Sequence, residues 1–226
     1  MLAGSAAGLC GTIAAFSLVA AIIASPATGT VEKLRRADAV SRADRLVAAT
    51  ALYRAGQIFE PGRYLSDAAS AAQRLQPAER RQALDGGSFR DVIDAALRSS
   101  PSSPYNWARR AELQLATNDL AGARGSLEMS LMLGRFVPAL AVPRSRILLD
   151  YLQRAPDPTL ERAFEEQVRI AARVAPKELA QFADGGAAEG RTQRILSGEY
   201  TLFSSYLDAL LGYRAQRENM RQARGK

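Results

Sequence analysis

Glu165 and Glu166 are the tightest carboxylate pair in this chain, and they show how little it offers for chemistry. Neighbouring positions on a helix point about 100° apart, so the two carboxylates face different directions and do not serve one substrate as acid and base. Histidine, the usual near-neutral base and the commonest metal ligand, is absent from all 226 residues. The single cysteine, Cys10, excludes an intrachain disulfide, and no Cys/His spacing suits a metal. Neither a Gly-x-Ser-x-Gly elbow nor a glycine-rich phosphate loop ending in Lys-Ser/Thr occurs. The expectation is a protein that is not an enzyme and uses no cofactor or metal.

What remains is binding. Tyr105, Arg109, Glu112, Arg144 and Arg146 fall on stretches expected to be the first helices of helix pairs, and they supply an aromatic ring, guanidinium donors and a carboxylate for a peptide or polymer. They are the candidate partner-binding residues. Net charge is +7 with a pI near 10, so an anionic membrane surface, an acidic glycan or a nucleic acid would each be attracted. No base-reading or aromatic-stacking motif accompanies the charge, and nucleic acid is not an expected partner.

These residues need a scaffold, and composition indicates its class. Hydrophobic residues make up 47% and charged residues 23%, normal for a folded chain, and much of the apolar share is alanine, the strongest helix former. Period-two alternation of β-branched and aromatic residues is almost missing, so the expected fold class is all-α. The length suits a small helical solenoid with an anchor.

Residues 2–25, LAGSAAGLCGTIAAFSLVAAIIAS, carry no charge and as a helix would cross a ~30 Å hydrocarbon core. An uncleaved transmembrane anchor is favoured over a buried core helix. It is also favoured over a cleaved signal, which Ser25-Pro26-Ala27 would suit but which lacks a basic leader, and over lipidation at Leu9-Cys10-Gly11. Gly4 and Gly8 form a small-xxx-small pair for helix association. Lys33, Arg35 and Arg36 follow the apolar run, so the positive-inside rule places the body in the cytoplasm.

Beyond the anchor, 31–56 reads as one helix with Leu34, Ala37, Leu46, Val47, Ala51 and Leu52 inward and Gly56 as its C-cap. Ser66 or Asp67 is expected to cap the next helix, and Phe89, Val92, Ile93, Ala96 and Leu97 share a face. The stretch 104–131 divides into a helix with Trp107, Ala111, Leu113 and Leu115 and a second, capped by Asn118 or Asp119, with Leu120, Ala123, Leu127 and Leu131. A third pair is expected around the Pro156-Asp157-Pro158 break. Its first helix starts near Ala141 or Val142, with Pro143 in the first turn, and its core is Ile147, Leu148, Tyr151, Phe164, Val168, Ile170 and Val174. Residues 184–191 read as a loop. The last helix carries Leu202, Phe203, Tyr206, Leu207, Leu210 and Leu211 as a cap, with Arg214, Arg217, Arg221, Arg224 and Lys226 as a solvated end.

Ile93, Ala96 and Leu97 recur 34 residues later as Leu127, Ser130 and Leu131. With Trp107, Asn118 and Ala123 at matching spacing, the chain resembles the tetratricopeptide repeat, with Arg110-Ala111 in place of the usual Leu-Gly. That resemblance implies an α-solenoid of stacked antiparallel helix pairs that binds proteins. Over about residues 100–185, Ser130-Leu131, Gly134, Pro138, Leu140, Arg144, Gln167-Val168-Arg169, Pro176 and Leu179-Ala180 resemble small TPR-like bacterial proteins encoded with exopolysaccharide or O-antigen assembly systems. The resemblance implies a membrane-anchored scaffold beside polymerising or exporting membrane proteins, with its body in the periplasm. Direct binding of an acidic glycan through the basic helices is the alternative. The expected organisation is an anchor at 1–27, a repeat domain at 31–183 and a capping helix with basic tail at 184–226.

Overall fold

Prolines and small polar residues decide where these helices begin. The computed structural model describes residues 3–36 and 38–224 and is all-α, with no strand among them. Helix α1 (Ala3–Ala24) passes through a 3₁₀ turn at Ser25–Ala27 into α2 (Thr28–Arg35). Backbone angles at the junctions stay right-handed helical, and Pro26 sits where its missing N–H is tolerated. Then follow α3 (Arg42–Ile58), α4 (Pro61–Ala72), α5 (Pro77–Ala83), α6 (Phe89–Ser99), α7 (Pro104–Ala116), α8 (Leu120–Gly134), α9 (Pro138–Arg154), α10 (Pro158–Val174), α11 (Pro176–Ala183), α12 (Gly186–Leu196) and α13 (Tyr200–Arg224). The chain forms two compact units, Met1–Arg110 and Ala111–Lys226, which divide within α7.

In the first unit α3 packs on α1, on the 3₁₀ turn and on α4, and α4 packs on α6. The core is largely alanine: Ala20, Ala24, Ala27, Ala48, Ala49, Ala55, Ala68, Ala71 and Ala72, with Leu52, Tyr64 and Leu75. Small side chains let helix axes come close, and Gly56 shows how close: a Cβ there would stand 2.8 Å from a Leu65 side-chain carbon. Gly56 is therefore a packing residue inside α3 and not the expected C-cap. The single helix read over 31–56 is also broken, because α2 ends at Arg35 and Ser41 caps a new helix by accepting the Asp44 N–H. Val47, expected inward, is exposed, since Ala48, Leu52 and Ala55 take the buried face. Ala37 lies outside the described residues, and so do the side chains of Gly4, Gly8 and Cys10. Ser66 and Asp67 stand within α4, which starts earlier at Pro61 after Glu60 turns through a positive φ of 47°.

In the second unit α9 packs on α8 and α10, and α11, α12 and α13 close against one another and α10. Asp119 caps α8 by accepting the Gly122 N–H, and Asp157 caps α10 through the Thr159 and Leu160 N–H groups. Leu127, Leu148, Leu160, Phe164, Val168, Leu179, Tyr206 and Leu210 are buried, each large apolar side chain contributing about 1.5–3 kcal/mol. Helix α9 begins at Pro138, earlier than expected, and carries Pro143 in its interior, where the ring leaves the Ala139 carbonyl without its usual i+4 donor. The expected loop at 184–191 becomes helical from Gly186, after positive φ angles at Gly185 and Gly186. Val174 and Leu211, expected inward, are exposed.

Of the two sets that recur at 34 residues, Ile93, Ala96 and Leu97 are buried in the first unit. Leu127 and Ser130 are buried in the second, where Leu131 is half-buried.

Candidate functional site

The five residues expected to meet a partner have different surroundings. Tyr105 opens α7 and is exposed. Arg109, one turn further, is buried: its guanidinium donates to the Asn106 Oδ1 at 3.0 Å, to the Gln73 Oε1 at 3.3 Å and to the Ser70 Oγ. Asn106, itself fully buried, donates to the Ser66 Oγ at 2.6 Å, so the network ties α7 to the middle of α4. Glu112 lies exposed on the part of α7 that belongs to the second unit. Arg144 is 0% exposed and donates to the Ser130 Oγ at 3.0 Å, to the Ser130 carbonyl and to the Gly134 carbonyl at 2.6 Å. Arg146 is exposed, with its guanidinium 5.9 Å from the centre of the Phe182 ring.

Burial changes what two of these groups do. Arg109 and Arg144 commit their donors to partners within their own units. Burying a guanidinium is costly unless its hydrogen bonds are made, and here seryl, amide and carbonyl oxygens accept them. Four of the residues singled out earlier over 100–185, Ser130, Gly134, Arg144 and Gln167, are likewise engaged inside the second unit. Ser130, Gly134 and Arg144 form one hydrogen-bonded knot between α8 and α9, and Gln167 of α10 donates to the Arg135 carbonyl at 3.0 Å. Tyr105 on the first unit and Glu112 and Arg146 on the second keep exposed side chains.

The carboxylates Glu165 and Glu166 are held by different arginines: Glu165 by Arg169 at 3.5 Å and Glu166 by Arg135 at 2.6 Å. At the C-terminal helix the expected solvated end is corrected for Arg214 and Arg217; Arg221 is exposed as expected, and the Arg224 side chain and Lys226 lie outside the described residues. Arg214 donates to the Asp184 Oδ1 at 2.9 Å and the Glu189 Oε2 at 2.6 Å, and Arg217 reaches the other Asp184 oxygen. Asp184 is thereby almost entirely covered. These charges clasp α13 to the α11–α12 junction at Asp184 and to Glu189 in α12.

Two apolar surfaces also stand out. In the first unit every residue from Thr12 to Val19 is exposed except Ser17, which is half-buried, and Ala20 is the first to be covered by the body. An uncharged helix segment therefore projects with Ile13, Phe16, Leu18 and Val19 in the open. Among the described residues it belongs to the one helix, Thr12–Arg35, long and apolar enough to cross a membrane. In the second unit Met132 in the last turn of α8 and Phe136 in the turn just after it are each 70% exposed.

Sequence reasoning missed a cleft in the first unit lined by Val40, Arg42, Arg45, Arg74, Gln76 and Glu79, about 160 Å³ in volume. The spacing of Arg42 and Arg45 would have hinted at it, but Arg74 joins them only through the fold. Compared with family models, with curated proteins and with solved structures, the chain matches none.

Proposed function

We propose that the protein is a non-catalytic, membrane-anchored helical scaffold that holds other membrane proteins of a bacterial envelope polysaccharide assembly system. One observation carries the anchoring: an apolar helix, open to its surroundings over 12–19, runs without a break into the body through Ala20, Ala24 and Ala27. Water exposure of so many large apolar groups would be costly, and a bilayer removes that cost. Two units built from paired helices offer faces for partners, with Tyr105, Glu112 and Arg146 exposed and Met132 and Phe136 as an apolar contact. The polysaccharide setting is supported by the resemblance over about 100–185, which also favours a periplasmic body.

The test has two stages. Alkaline phosphatase and, separately, green fluorescent protein are fused after Lys226 in a bacterial host. Phosphatase activity without fluorescence supports a periplasmic body beside exported polymer, and the reverse pattern assigns cytoplasmic partners. Mild-detergent purification should then bring down integral-membrane components of the assembly system. Recovery of the chain alone, with salt-sensitive retention on an acidic glycan, would replace the scaffold by a glycan-binding module.

A further inference from the structure

Buried arginines elsewhere in this molecule have oxygen partners. Arg109 has an amide, a second amide and a hydroxyl, and Arg144 has two carbonyls and a hydroxyl. Arg45 differs. It is only 9% exposed, it lines the cleft between the start of α3 and the α4–α5 junction, and among the described residues no oxygen accepts from its guanidinium. A second cation, Arg74, acts on it from the same cleft, exposed and with no carboxylate on it among the described residues.

Arg42 completes the wall. Its Nε donates to Glu79, which also accepts the Gln76 N–H at 3.2 Å. The Arg42 hydrogen bond holds the Glu79 carboxyl below its ordinary range, so it stays ionised and neutralises one of three guanidinium charges. The cleft thus keeps an excess of two positive charges, one of them on Arg45, whose residue is only 9% exposed. A largely covered arginine without an acceptor for its guanidinium lacks a counter-charge, and the neighbouring Arg74 cation adds repulsion. Burial first, and then Arg74, press the Arg45 pKa down, as expected of a cation that lacks its counter-charge.

We propose that this cleft binds a phosphoryl oxyanion, with Arg45 and Arg74 as the two guanidinium forks and Arg42 at the rim. Two surplus charges match a phosphate dianion, whereas a single carboxylate would leave one uncompensated, and planar forks suit tetrahedral oxygens bidentately. Arg42 and Arg45 stand in the first turn of α3, which packs on α1, the 3₁₀ turn and α2. The cleft, about 160 Å³ in volume, admits a phosphoryl group. The ligand is taken to be a phosphorylated solute, with a lipid headgroup as the rival source that the test separates. The inference is independent of the scaffold reading, because it needs neither a given membrane side nor a protein partner.

The test uses the full chain in neutral-detergent micelles. Thermal unfolding is followed with inorganic phosphate, acetate or chloride at matched ionic strength, and with vesicles containing phosphatidic acid. Phosphate should raise the midpoint saturably, by several degrees and at least threefold more than acetate or chloride, with little effect of the vesicles. Arg45→Met keeps the volume and removes the unpaired charge, so it should fold and lose the phosphate response. Arg74→Gln should weaken apparent affinity about tenfold while the unliganded midpoint stays put. Equal shifts from all anions, a full response in Arg45→Met, or a response to phosphatidic acid vesicles without one to phosphate would each overturn the proposal.

Discussion

In the first unit the helices meet through alanines: Ala20, Ala24 and Ala27 on one side, Ala48, Ala49 and Ala55 on another, Ala68, Ala71 and Ala72 on a third. In the second the corresponding interior holds Leu148, Leu160, Phe164 and Val168, and buried polar side chains run through it: Ser126 to Gln114, Arg144 to Ser130, Gln167 to a backbone carbonyl. Close approach gives the first unit many small contacts and little tolerance for added volume. Larger side chains fill the interior of the second, and in both units, through Arg109 and Asn106 in the first and Arg144 in the second, removing one member of a polar knot carries a penalty. Helix pairing alone does not dictate a core chemistry.

The comparison can be broken most forcefully at Phe164, which is 0% exposed. Phe164→Ala should cost about 3–5 kcal/mol through lost burial and a cavity. Hydrogen exchange should show the opening in peptides of the second unit, with those of the first little changed; equal loss in both would end the contrast. Next comes Arg144→Met, which leaves the Ser130 and Gly134 carbonyls without their donor. A loss of about 3 kcal/mol by urea denaturation is expected, and a neutral result would mean that the polar knot is dispensable.

Ala68→Leu tests the other side. Ala68 has no exposed surface in the alanine core, and overpacking should cost about 1–3 kcal/mol, read as faster exchange in α3 and α4. Tyr206→Phe should have the smallest effect near neutrality, within about 0.5 kcal/mol, because the buried hydroxyl has no hydrogen-bond partner. Burial, with Glu189 adding to it, pushes the Tyr206 pKa up to about 12. An unfolded tyrosine ionises near pH 10. Stability from the neutral phenol is therefore intact below about pH 10 and is lost as pH rises toward 12. The phenylalanine variant should lack that alkaline decline, and an unchanged decline would assign it to other groups.

Much of the fold could be read from local signals. Asp119 caps as its position suggests, and the apolar spacing of Val92, Ile93, Ala96 and Leu97 marks a real buried face. Misreadings occurred where a tertiary contact outweighed a local rule. Gly56 looks like a helix terminator but packs against Leu65, and the glycines after Asp184 open a helix instead of a loop. The candidate site was less legible for a related reason. Arginine is ordinarily a surface residue, and nothing local distinguishes Arg144, enclosed by Ser130 and Gly134, from Arg146, which is exposed. Arg45 and Arg74 meet only because α3 and α4 bring distant positions together.

The unbroken run from Ala3 to Arg35 has a mechanical consequence. With no flexible joint between the apolar segment and the first unit, azimuth and height are set together, like a wheel keyed to its shaft. One residue added ahead of Ala20 would swing that unit by about 100° about the helix axis and lift it by about 1.5 Å. Whatever grips the apolar segment from the side therefore also chooses which way the first unit faces.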